Sequence, residues 1–565
     1  MTLPEFRSLF LVAALFPLAA AIRGAEQSPQ TVNIQVLADE QEAVFPPIWN
    51  YFGYDEPNYT YARNGQKLLR ELGDLCPQPV YVRTHNLLTS GDGSASLKWG
   101  STNVYTEDAA GNPVYDWTIL DRIFDTFQAA HVKPLVEIGF MPKALSIHPD
   151  PYRHNFPQGS IFTGWAYPPK DYQRWSDVVF QLVHHLRARY GDAEVRTWLW
   201  EVWNEPDIGY WQGTREEFFK LYDLSVDAVV RALPEARIGG PDTTGPANPK
   251  AAEFLREFLD HCAHQKNYAT GKIGTRLDFI SFHPKGSPEW KGDHVQMGIN
   301  RQLASIQDGF RVVSAFSEWR LTPIILGESD PEGCAACSAR SHPQNSYRNG
   351  PLYAAYEAEA LYHTLALGQL NHANLLGALT WAFEFEDQPY FEGFRELATN
   401  GVDKPVLNAF RMFGLLASQR LKVTSSASLS TEGVVRDGVR DRPEINAIAT
   451  QRDREVEILL WNYHDEDVPT APSLVHLTIT GLPSAVSRAL LEHFRIDSDH
   501  SNSFAAWNRM RSPQAPTPEQ YEKLESAGQL HLLNSPSWIP IENSSAHLSF
   551  TMPRQSVSLV RIGWQ

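Results

Sequence analysis

Strand-like and helical segments alternate along most of this chain, and no other feature of the sequence constrains the fold as strongly. Between about residues 45 and 400, short apolar runs are separated by stretches with apolar residues at helical spacing, such as Leu120, Ile123, Phe124 and Phe127. Repeated strand–helix units predict parallel strands covered by helices. The sequence offers eight such strands, at 48–54, 79–86, 133–140, 197–205, 237–241, 278–283, 322–328 and 376–381. We therefore predict an α/β fold with a (β/α)8 TIM barrel.

The pattern changes after about residue 405, where a last helix at 407–416 is followed by short alternating segments. These segments lie at 434–439, 445–450, 456–463, 475–480 and 556–563, and they predict a C-terminal antiparallel β-sandwich domain. The predicted organisation has four parts: a secretory signal at 1–25, an N-terminal strand segment at 26–44, the barrel at 45–404 and the sandwich at 405–565.

The signal prediction depends on the first residues. Arg7 provides a positive charge, the apolar run 9–21 is too short to span a bilayer, and small residues follow it up to Ala25. An N-terminal membrane anchor is the alternative. We expect an exported protein, secreted or periplasmic, that is not held at a membrane once the signal is cleaved.

The charge of the chain limits its partners. The formal net charge is −17, and nucleic-acid phosphates would repel so acidic a protein. We therefore expect no nucleic-acid partner. The sequence leaves the oligomeric state open.

Two glutamates stand where barrel strands are predicted to end. Trp203-Asn-Glu-Pro206 closes a Trp-rich strand and places Glu205 beside an amide, while Glu328 ends the apolar strand 322–328. Catalytic residues of such barrels lie at the carboxyl ends of strands, and glycoside cleavage uses a pair of carboxyl groups. Strands 4 and 7 face each other across the barrel mouth. We predict Glu205 as the general acid/base and Glu328 as the nucleophile.

Three other carboxylates compete for these roles. Glu201 lies on the same face of strand 4 as Glu205 but deeper in the barrel, which favours a structural role. Glu318 precedes the apolar strand instead of ending it, and Asp330 follows Glu328 by two residues. Position therefore favours Glu205 and Glu328.

Several motifs resemble glycoside hydrolase family 39, which contains β-xylosidases and α-L-iduronidases. They lie at 52–58, 82–86, 203–206, 279–283, 327–331 and 495–502. The C-terminal segment around Trp507 is most similar to the bacterial β-xylosidases of the family. The resemblance implies a retaining exo-glycosidase acting on oligosaccharides or glycosides, most simply a β-xylosidase, with no metal and no cofactor. It also implies that strand 31–36 joins the sheet of the sandwich.

The resemblance implies substrate-binding roles for residues around the two glutamates. Asn204 would bind the sugar 2-hydroxyl, His85 and His283 would contact hydroxyls or Glu328, and Trp381 would form the floor of the subsite. Two further residues, Glu384 and Glu386, would hold hydroxyls or would simply be solvated charges at the rim.

Lys285 leaves the identity of the substrate sugar undecided. The β-xylosidases have a tyrosine two residues after the histidine of strand 6, whereas His283-Pro-Lys285 resembles the α-L-iduronidases, in which the lysine meets a uronic acid carboxylate. A uronidase, an exo-enzyme for arabinose or galactose, and a non-catalytic carbohydrate-binding protein remain alternatives to a xylosidase. For a neutral pentoside, we expect Lys285 to bind Glu384 or Glu386, or to point at a hydroxyl.

The four cysteines do not form a metal-binding pattern. Cys334 and Cys337 are spaced to close a small disulfide loop after strand 7 in an exported protein, with free thiols as the alternative. Cys76 and Cys262 stand alone, so no zinc site is predicted.

Overall fold

The computed structural model describes residues 30–156 and 159–565. Its centre is a closed barrel of eight parallel strands, in which the last strand pairs with the first. We number these strands β1 to β8: Tyr51–Tyr54, Tyr81–Thr84, Lys133–Ile138, Leu199–Val202, Arg237–Thr244, Phe279–His283, Ile324–Leu326 and Leu375–Thr380. The predicted barrel is confirmed, and each predicted strand corresponds to one observed strand.

The observed strands mostly end earlier than predicted, and β4 shows why. It was predicted to run to Glu205 but stops at Val202. Trp203 has a φ of 75° and Glu205 a φ of 43°, which is left-handed backbone that cannot continue a β-strand. The chain therefore turns at the mouth of the barrel, where it presents Asn204 and Glu205.

Helices cover the barrel at Arg63–Gly73, Thr118–Ala129, Tyr172–Tyr190, Asp192–Val195, Arg215–Ala232, Pro249–His264, Ile299–Ser314, Pro351–Leu370 and Pro405–Gly414. Three of these helices were not predicted: Arg63–Gly73, Asp192–Val195 and Ile299–Ser314. The last helix lies within the range assigned from sequence to the second domain. Its Phe410 packs on Phe52 of β1, with 5.0 Å between ring centroids, so it completes the barrel.

The second domain contains a ten-stranded mixed sheet. Its longer strands are Thr31–Val44, Gln419–Ser425, Glu444–Arg452, Glu455–Tyr463, Ser473–Thr480, Arg488–Ile496, Ala546–Met552 and Ser556–Gly563. The N-terminal strand joins this sheet, antiparallel to Gln419–Ser425 and parallel to Ser473–Thr480. The predicted β-domain is confirmed, but its pairing is not wholly antiparallel.

One predicted strand of this domain is wrong. Residues 434–439 fall largely within the helix Thr431–Asp437, which Ser430 caps by accepting a hydrogen bond from the backbone N–H of Gly433. The capping serine stabilises the helix start and outweighs the strand-like valines of this short segment. The same domain also contains helices Ser503–Arg509 and Pro518–Gly528.

The two domains meet along helix Pro351–Leu370. Fifteen of its 20 residues are buried, and it has no polar face of the usual kind. One side covers the barrel, and Tyr362 on another side packs against Trp461 of the sandwich with 5.4 Å between ring centroids. The domains are therefore joined through a shared apolar layer.

Within residues 30–156 and 159–565, no helix is long and apolar enough to cross a bilayer. The predicted secretory signal at 1–25 lies outside the described residues.

Candidate active site

The carboxyl ends of β4, β6 and β7 bring Glu205, His283 and Glu328 together. One side-chain atom of each of these residues lies within 4.8 Å of one atom of the other two. Glu205 is fixed at the turn after β4, where its backbone N–H donates to the carbonyl of Asp242 at 2.9 Å. The two predicted catalytic glutamates therefore share one site, although they are 123 positions apart in the chain.

Glu328 is a buried carboxylate surrounded by cations. Lys285 Nζ lies 2.6 Å from its Oε2, and His85 and His283 each place a ring nitrogen 3.6 Å from its Oε1. Burial opposes ionisation, but these charges outweigh it and hold the pKa of Glu328 well below its usual value. Glu328 is therefore ionised, as a nucleophile must be.

His283 connects Glu205 to a second acid. Its Nδ1 lies 2.8 Å from Glu205 Oε1, and its Nε2 lies 2.6 Å from Asp242 Oδ2. Burial favours the neutral ring, yet the charges of Asp242 and Glu328 raise the pKa of His283 well above its usual value. The protonated ring donates through Nδ1 to Glu205 and leaves Glu205 Oε2 for a ligand.

A buried arginine organises the floor of the site. Arg83, at the end of β2, contacts Glu201 at 2.6 Å and Glu137 at 3.0 Å, and it also contacts Asp242. A fourth contact, at 3.2 Å, goes from its Nη2 to Asn204 Oδ1. Sequence reasoning missed Arg83, although it stands within the family-like motif at 82–86.

Glu201 has the structural position predicted for it. It is fully buried and accepts a hydrogen bond from Ser281 at 2.6 Å besides pairing with Arg83. Burial and the nearby charge of Asp242 raise the pKa of Glu201 to about 8, although Arg83 opposes this. Because Arg83 fixes both Glu201 and Asn204, it positions the residue that precedes Glu205.

His85 lies beside Glu328 and is held by two further acids. Its Nδ1 is 2.8 Å from Asp55 and its Nε2 is 3.2 Å from Glu137. Burial disfavours its charge, but the charge of Glu137 and hydrogen bonds to Asp55 and Glu328 raise the pKa of His85 to about 9. Lys98 pairs with Asp55 from the other side.

Trp381 follows β8 and lies under the polar cluster. Only 2% of the residue is exposed, its ring centroid is 4.3 Å from that of His85, and Arg83 lies over it at 5.2 Å. Trp381 therefore supports the site from below and offers little open ring face to a sugar.

Lys285 contacts neither Glu384 nor Glu386, and its expected contact with a sugar hydroxyl stays a prediction. Its Nζ lies 2.6 Å from Glu328 and 2.5 Å from Asp330, and not beside Glu384 or Glu386. Asp330 is buried and also accepts a hydrogen bond from the backbone of Trp381 at 2.8 Å, so it anchors the lysine against β8.

Glu318, the remaining alternative to the two predicted catalytic glutamates, is an exposed residue that contacts His264 at 3.1 Å and takes no part in the cluster.

Glu384 and Glu386 have local structural contacts. Glu384 is buried and accepts a hydrogen bond from the backbone of Gly401. Glu386 accepts from the backbone N–H of Asn64 at 2.7 Å and from its side-chain amide at 3.0 Å, at the start of helix Arg63–Gly73. Glu384 is thus not a solvated rim charge, and its buried Oε2 has no hydrogen-bond partner among the described residues, so the predicted sugar-binding roles of both glutamates stay predictions.

A cavity of about 680 Å³ opens over the cluster. Glu205, His283 and Lys285 line it on one side, and Tyr210 and Gly333 are among its other walls. Gly333 directly precedes Cys334, which forms a disulfide with Cys337, so that loop contributes to the rim. The remaining two cysteines, Cys76 and Cys262, are free thiols.

The fold and the paired glutamates define a barrel enzyme that cleaves glycosides. The chain belongs to glycosyl hydrolase family 39, whose model matches residues 32–536. It is 27% identical over 498 residues to a β-xylosidase of Geobacillus stearothermophilus, covering 85% of this chain and 86% of the relative. It is 26% identical over 574 residues to the human α-L-iduronidase, covering 93% of this chain and 77% of the relative.

The solved structures that match share the fold. One described as the bacterial orthologue of human α-L-iduronidase superposes with a TM-score of 0.75 at 22% identity, covering 95% of this chain and 84% of that one. The protein is thus a glycoside hydrolase of family 39, as the motifs predicted.

Proposed function

We propose that the chain is a retaining exo-glycosidase that removes xylose from the non-reducing end of xylo-oligosaccharides. The approach of Glu205 and Glu328, with one oxygen of each within 4.8 Å, supports the retaining mechanism. Retaining glycosidases hold their two carboxyl groups about 5–5.5 Å apart, whereas inverting enzymes need about 6.5–9.5 Å to admit a water.

In this mechanism Glu328 attacks the anomeric carbon while Glu205 donates a proton to the departing glycosidic oxygen. A covalent glycosyl–enzyme ester forms, and the protonated aglycone leaves. Glu205, now a carboxylate, removes a proton from water, which attacks the same carbon and releases Glu328. Two carboxyl groups and water complete this reaction, so it needs no cofactor.

The surroundings of each glutamate fit its role. Lys285, His283 and His85 stabilise the charge that Glu328 carries before attack. The N–H of His283 holds Glu205 Oε1 in place, so Oε2 is available to exchange a proton with the substrate. Asn204 has its Oδ1 occupied by Arg83, which directs its NH2 group to a sugar hydroxyl.

Xylose is the favoured sugar because Lys285 already has partners. Its ammonium lies within 2.6 Å of two carboxylates, Glu328 and Asp330, so a substrate carboxylate would have to compete for it. The similarity to the Geobacillus β-xylosidase over most of both chains points the same way. An α-L-iduronide is the second candidate, because Lys285 stands beside Glu328 and an iduronidase is 26% identical over 93% of this chain.

A panel of nitrophenyl and methylumbelliferyl glycosides tests this proposal. We expect the β-D-xyloside to be hydrolysed fastest and proton NMR to show the β-anomer as the first product. Faster hydrolysis of the α-L-iduronide would contradict the proposed sugar specificity. If α-xylose is the first product, the retaining mechanism is contradicted. Failure on every glycoside, with binding retained, would indicate a carbohydrate-binding protein.

We also propose that the protein is exported. The apolar segment at 9–21 and the disulfide between Cys334 and Cys337 support an oxidising compartment. Fractionation of cells that express the full chain, compared with cells that express residues 26–565, tests this. Activity that stays in the cytoplasm for both forms would contradict it.

A further inference from the structure

A second cluster of carboxylates and a histidine lies between the barrel and the sandwich. Glu359 and His363 are one turn apart on helix Pro351–Leu370, and Glu444 begins the sandwich strand Glu444–Arg452. All three residues are fully buried, and none of them lines the catalytic cavity. The reaction proposed above does not use them.

Three of their atoms converge on one point. His363 Nε2 lies 3.2 Å from Glu359 Oε1 and 3.1 Å from Glu444 Oε2, and all three atoms lie within 4.8 Å of one another. Zinc bonds to nitrogen and oxygen of about 2.0–2.2 Å give tetrahedral edges of about 3.3–3.6 Å. The two separations from His363 Nε2, 3.1 and 3.2 Å, are close to that edge length, and the two carboxylate oxygens lie within 4.8 Å of each other.

The opposite atom of each residue is held by the sandwich. The partners are Trp461 Nε1 for Glu359 Oε2 at 2.5 Å, Thr431 Oγ1 for His363 Nδ1 at 3.1 Å and Asn446 Nδ2 for Glu444 Oε1 at 2.8 Å. Such outer contacts orient metal ligands in known sites. Of the three inward atoms, His363 Nε2 and Glu444 Oε2 share a hydrogen bond of 3.1 Å, whereas the buried Glu359 Oε1 has no hydrogen-bond partner in the described part of the chain.

The two buried carboxylates of the cluster can be neutralised either by protons or by a metal ion. Among the described residues, no lysine or arginine forms an ion pair with Glu359 or Glu444, and His363 is their one cationic partner. Two buried carboxylates beside a neutral imidazole need a charge of +2, from two protons or from one divalent cation.

We propose that Glu359, His363 and Glu444 bind one divalent transition-metal ion, with Zn²⁺ as the preferred ion. Imidazole and carboxylate ligands suit zinc and its neighbours. No fourth His, Cys, Asp or Glu joins the cluster in the described residues, so one glutamate would coordinate through both oxygens while its outer oxygen keeps the hydrogen bond from Trp461 or Asn446. The ion would be structural, acquired during folding, and would tie the barrel to the sandwich.

Metal content of the whole enzyme tests the proposal directly. The chain is expressed in zinc-supplemented medium, dialysed against metal-free buffer and analysed by mass spectrometry. Because an ion bound in a closed site is retained, we expect about one zinc per chain. Expression in cobalt medium should give the visible absorption bands of a low-symmetry Co²⁺ site. Absence of bound metal in both preparations would show that protons balance the cluster and would overturn the proposal.

Substitutions assign the ion to this cluster. His363→Gln and Glu444→Gln should lose the metal. The matched control His493→Gln, which alters another buried histidine of the sandwich, should keep it. Glu205→Gln alters the other group of convergent ligands, at the active site, and should also keep it.

Metal that persists in His363→Gln but is lost in Glu205→Gln would place the ion at the active site and refute the proposal. If the cluster variants do not fold, the wild-type enzyme still decides the question. After it is unfolded in the presence of a strong chelator, the wild-type enzyme should refold only when Zn²⁺ is added. Equal refolding with and without the chelator would contradict the proposal.

Discussion

Lys285 controls the charge of Glu328, and its removal should therefore change the pH dependence of catalysis. The ammonium lowers the pKa of Glu328, so Lys285→Met should raise that pKa and protonate the nucleophile at a higher pH. We expect the acid limb of kcat/KM to move to higher pH. The loss of a charged contact should lower kcat/KM at neutral pH about 10- to 150-fold.

Lys291→Met is the matched control, because Lys291 is an exposed lysine that pairs with Glu289 at 2.7 Å. Its pH profile should equal that of the parent enzyme. A Lys285→Met profile with an unmoved acid limb would show that the lysine does not tune Glu328.

Substitution of Glu205 and substitution of Glu328 should reduce activity in different ways. Glu328→Ala should lower kcat by roughly 10⁴-fold or more, and added azide should yield a glycosyl azide of inverted configuration. Glu205→Ala should slow substrates with poor leaving groups by roughly 10²–10⁴-fold and those with good leaving groups much less. Glu318→Ala, at a largely exposed glutamate, should behave like the parent. Equal losses for both active-site variants on every leaving group would refute the assigned roles.

The sequence identified the residues at the ends of strands, but it did not identify the buried residues that contact and position them. Glu205 and Glu328 stand out because each follows an apolar run. Arg83, Asp242 and Glu137 lie inside ordinary strand segments, and their importance comes from convergence within the barrel. For a neutral pentoside Lys285 was expected to bind Glu384 or Glu386 or to point at a hydroxyl; it binds Glu328 and Asp330 instead of the first two, because loop geometry, not sequence distance, decides which acid a lysine reaches.

At the scale of elements, the loop after β7 is held by an arginine as well as by its disulfide. Arg348 is buried, pairs with Glu332 at 2.6 Å and donates to the carbonyls of Cys334 and Cys337. A disulfide that closes so short a loop contributes only about 2 kcal/mol. Removing one partner of a buried ion pair costs about 3–5 kcal/mol.

The loop should therefore tolerate loss of its disulfide better than loss of its arginine. We expect Cys334→Ser with Cys337→Ser to lower the free energy of unfolding by about 2 kcal/mol or less. Arg348→Met should lower it by more than about 3 kcal/mol. Urea unfolding followed by tryptophan fluorescence measures both, and the reverse order would contradict this account.

The elements also show where local patterns are insufficient. The spacing of apolar residues over 351–367 predicts an amphipathic helix, but nothing local indicates that helix Pro351–Leu370 is covered on both sides. The segment 434–439 has strand-like residues and still forms part of a helix, because a serine cap and its neighbours favour one.

At the scale of the whole molecule, the N-terminal strand joins the two ends of the chain. Val32, Ile34 and Val36 are almost completely buried between strands Gln419–Ser425 and Ser473–Thr480. Burying three such side chains contributes roughly 5–9 kcal/mol, which is comparable to the stability of a whole domain.

Removal of residues 1–44 should therefore unfold the sandwich, whereas removal of residues 1–29 should not. We expect the 30–565 form to be soluble with a cooperative thermal transition. The 45–565 form should aggregate or melt at a much lower temperature. Calorimetry of the two forms compares them, and equal Tm values would show that the strand is dispensable.

The sequence by itself determined the class of fold and predicted which two glutamates meet at the mouth of the barrel. Alternating periodicity is a local signal, and a strand-end carboxylate can be found from the residues that precede it. Only the tertiary structure decided the charge of the site, because the pKa of Glu328 depends on Lys285, His283 and His85, which come from other strands. Electrostatic interactions depend on distance in space, and the folding of the barrel, not the order of residues, sets those distances.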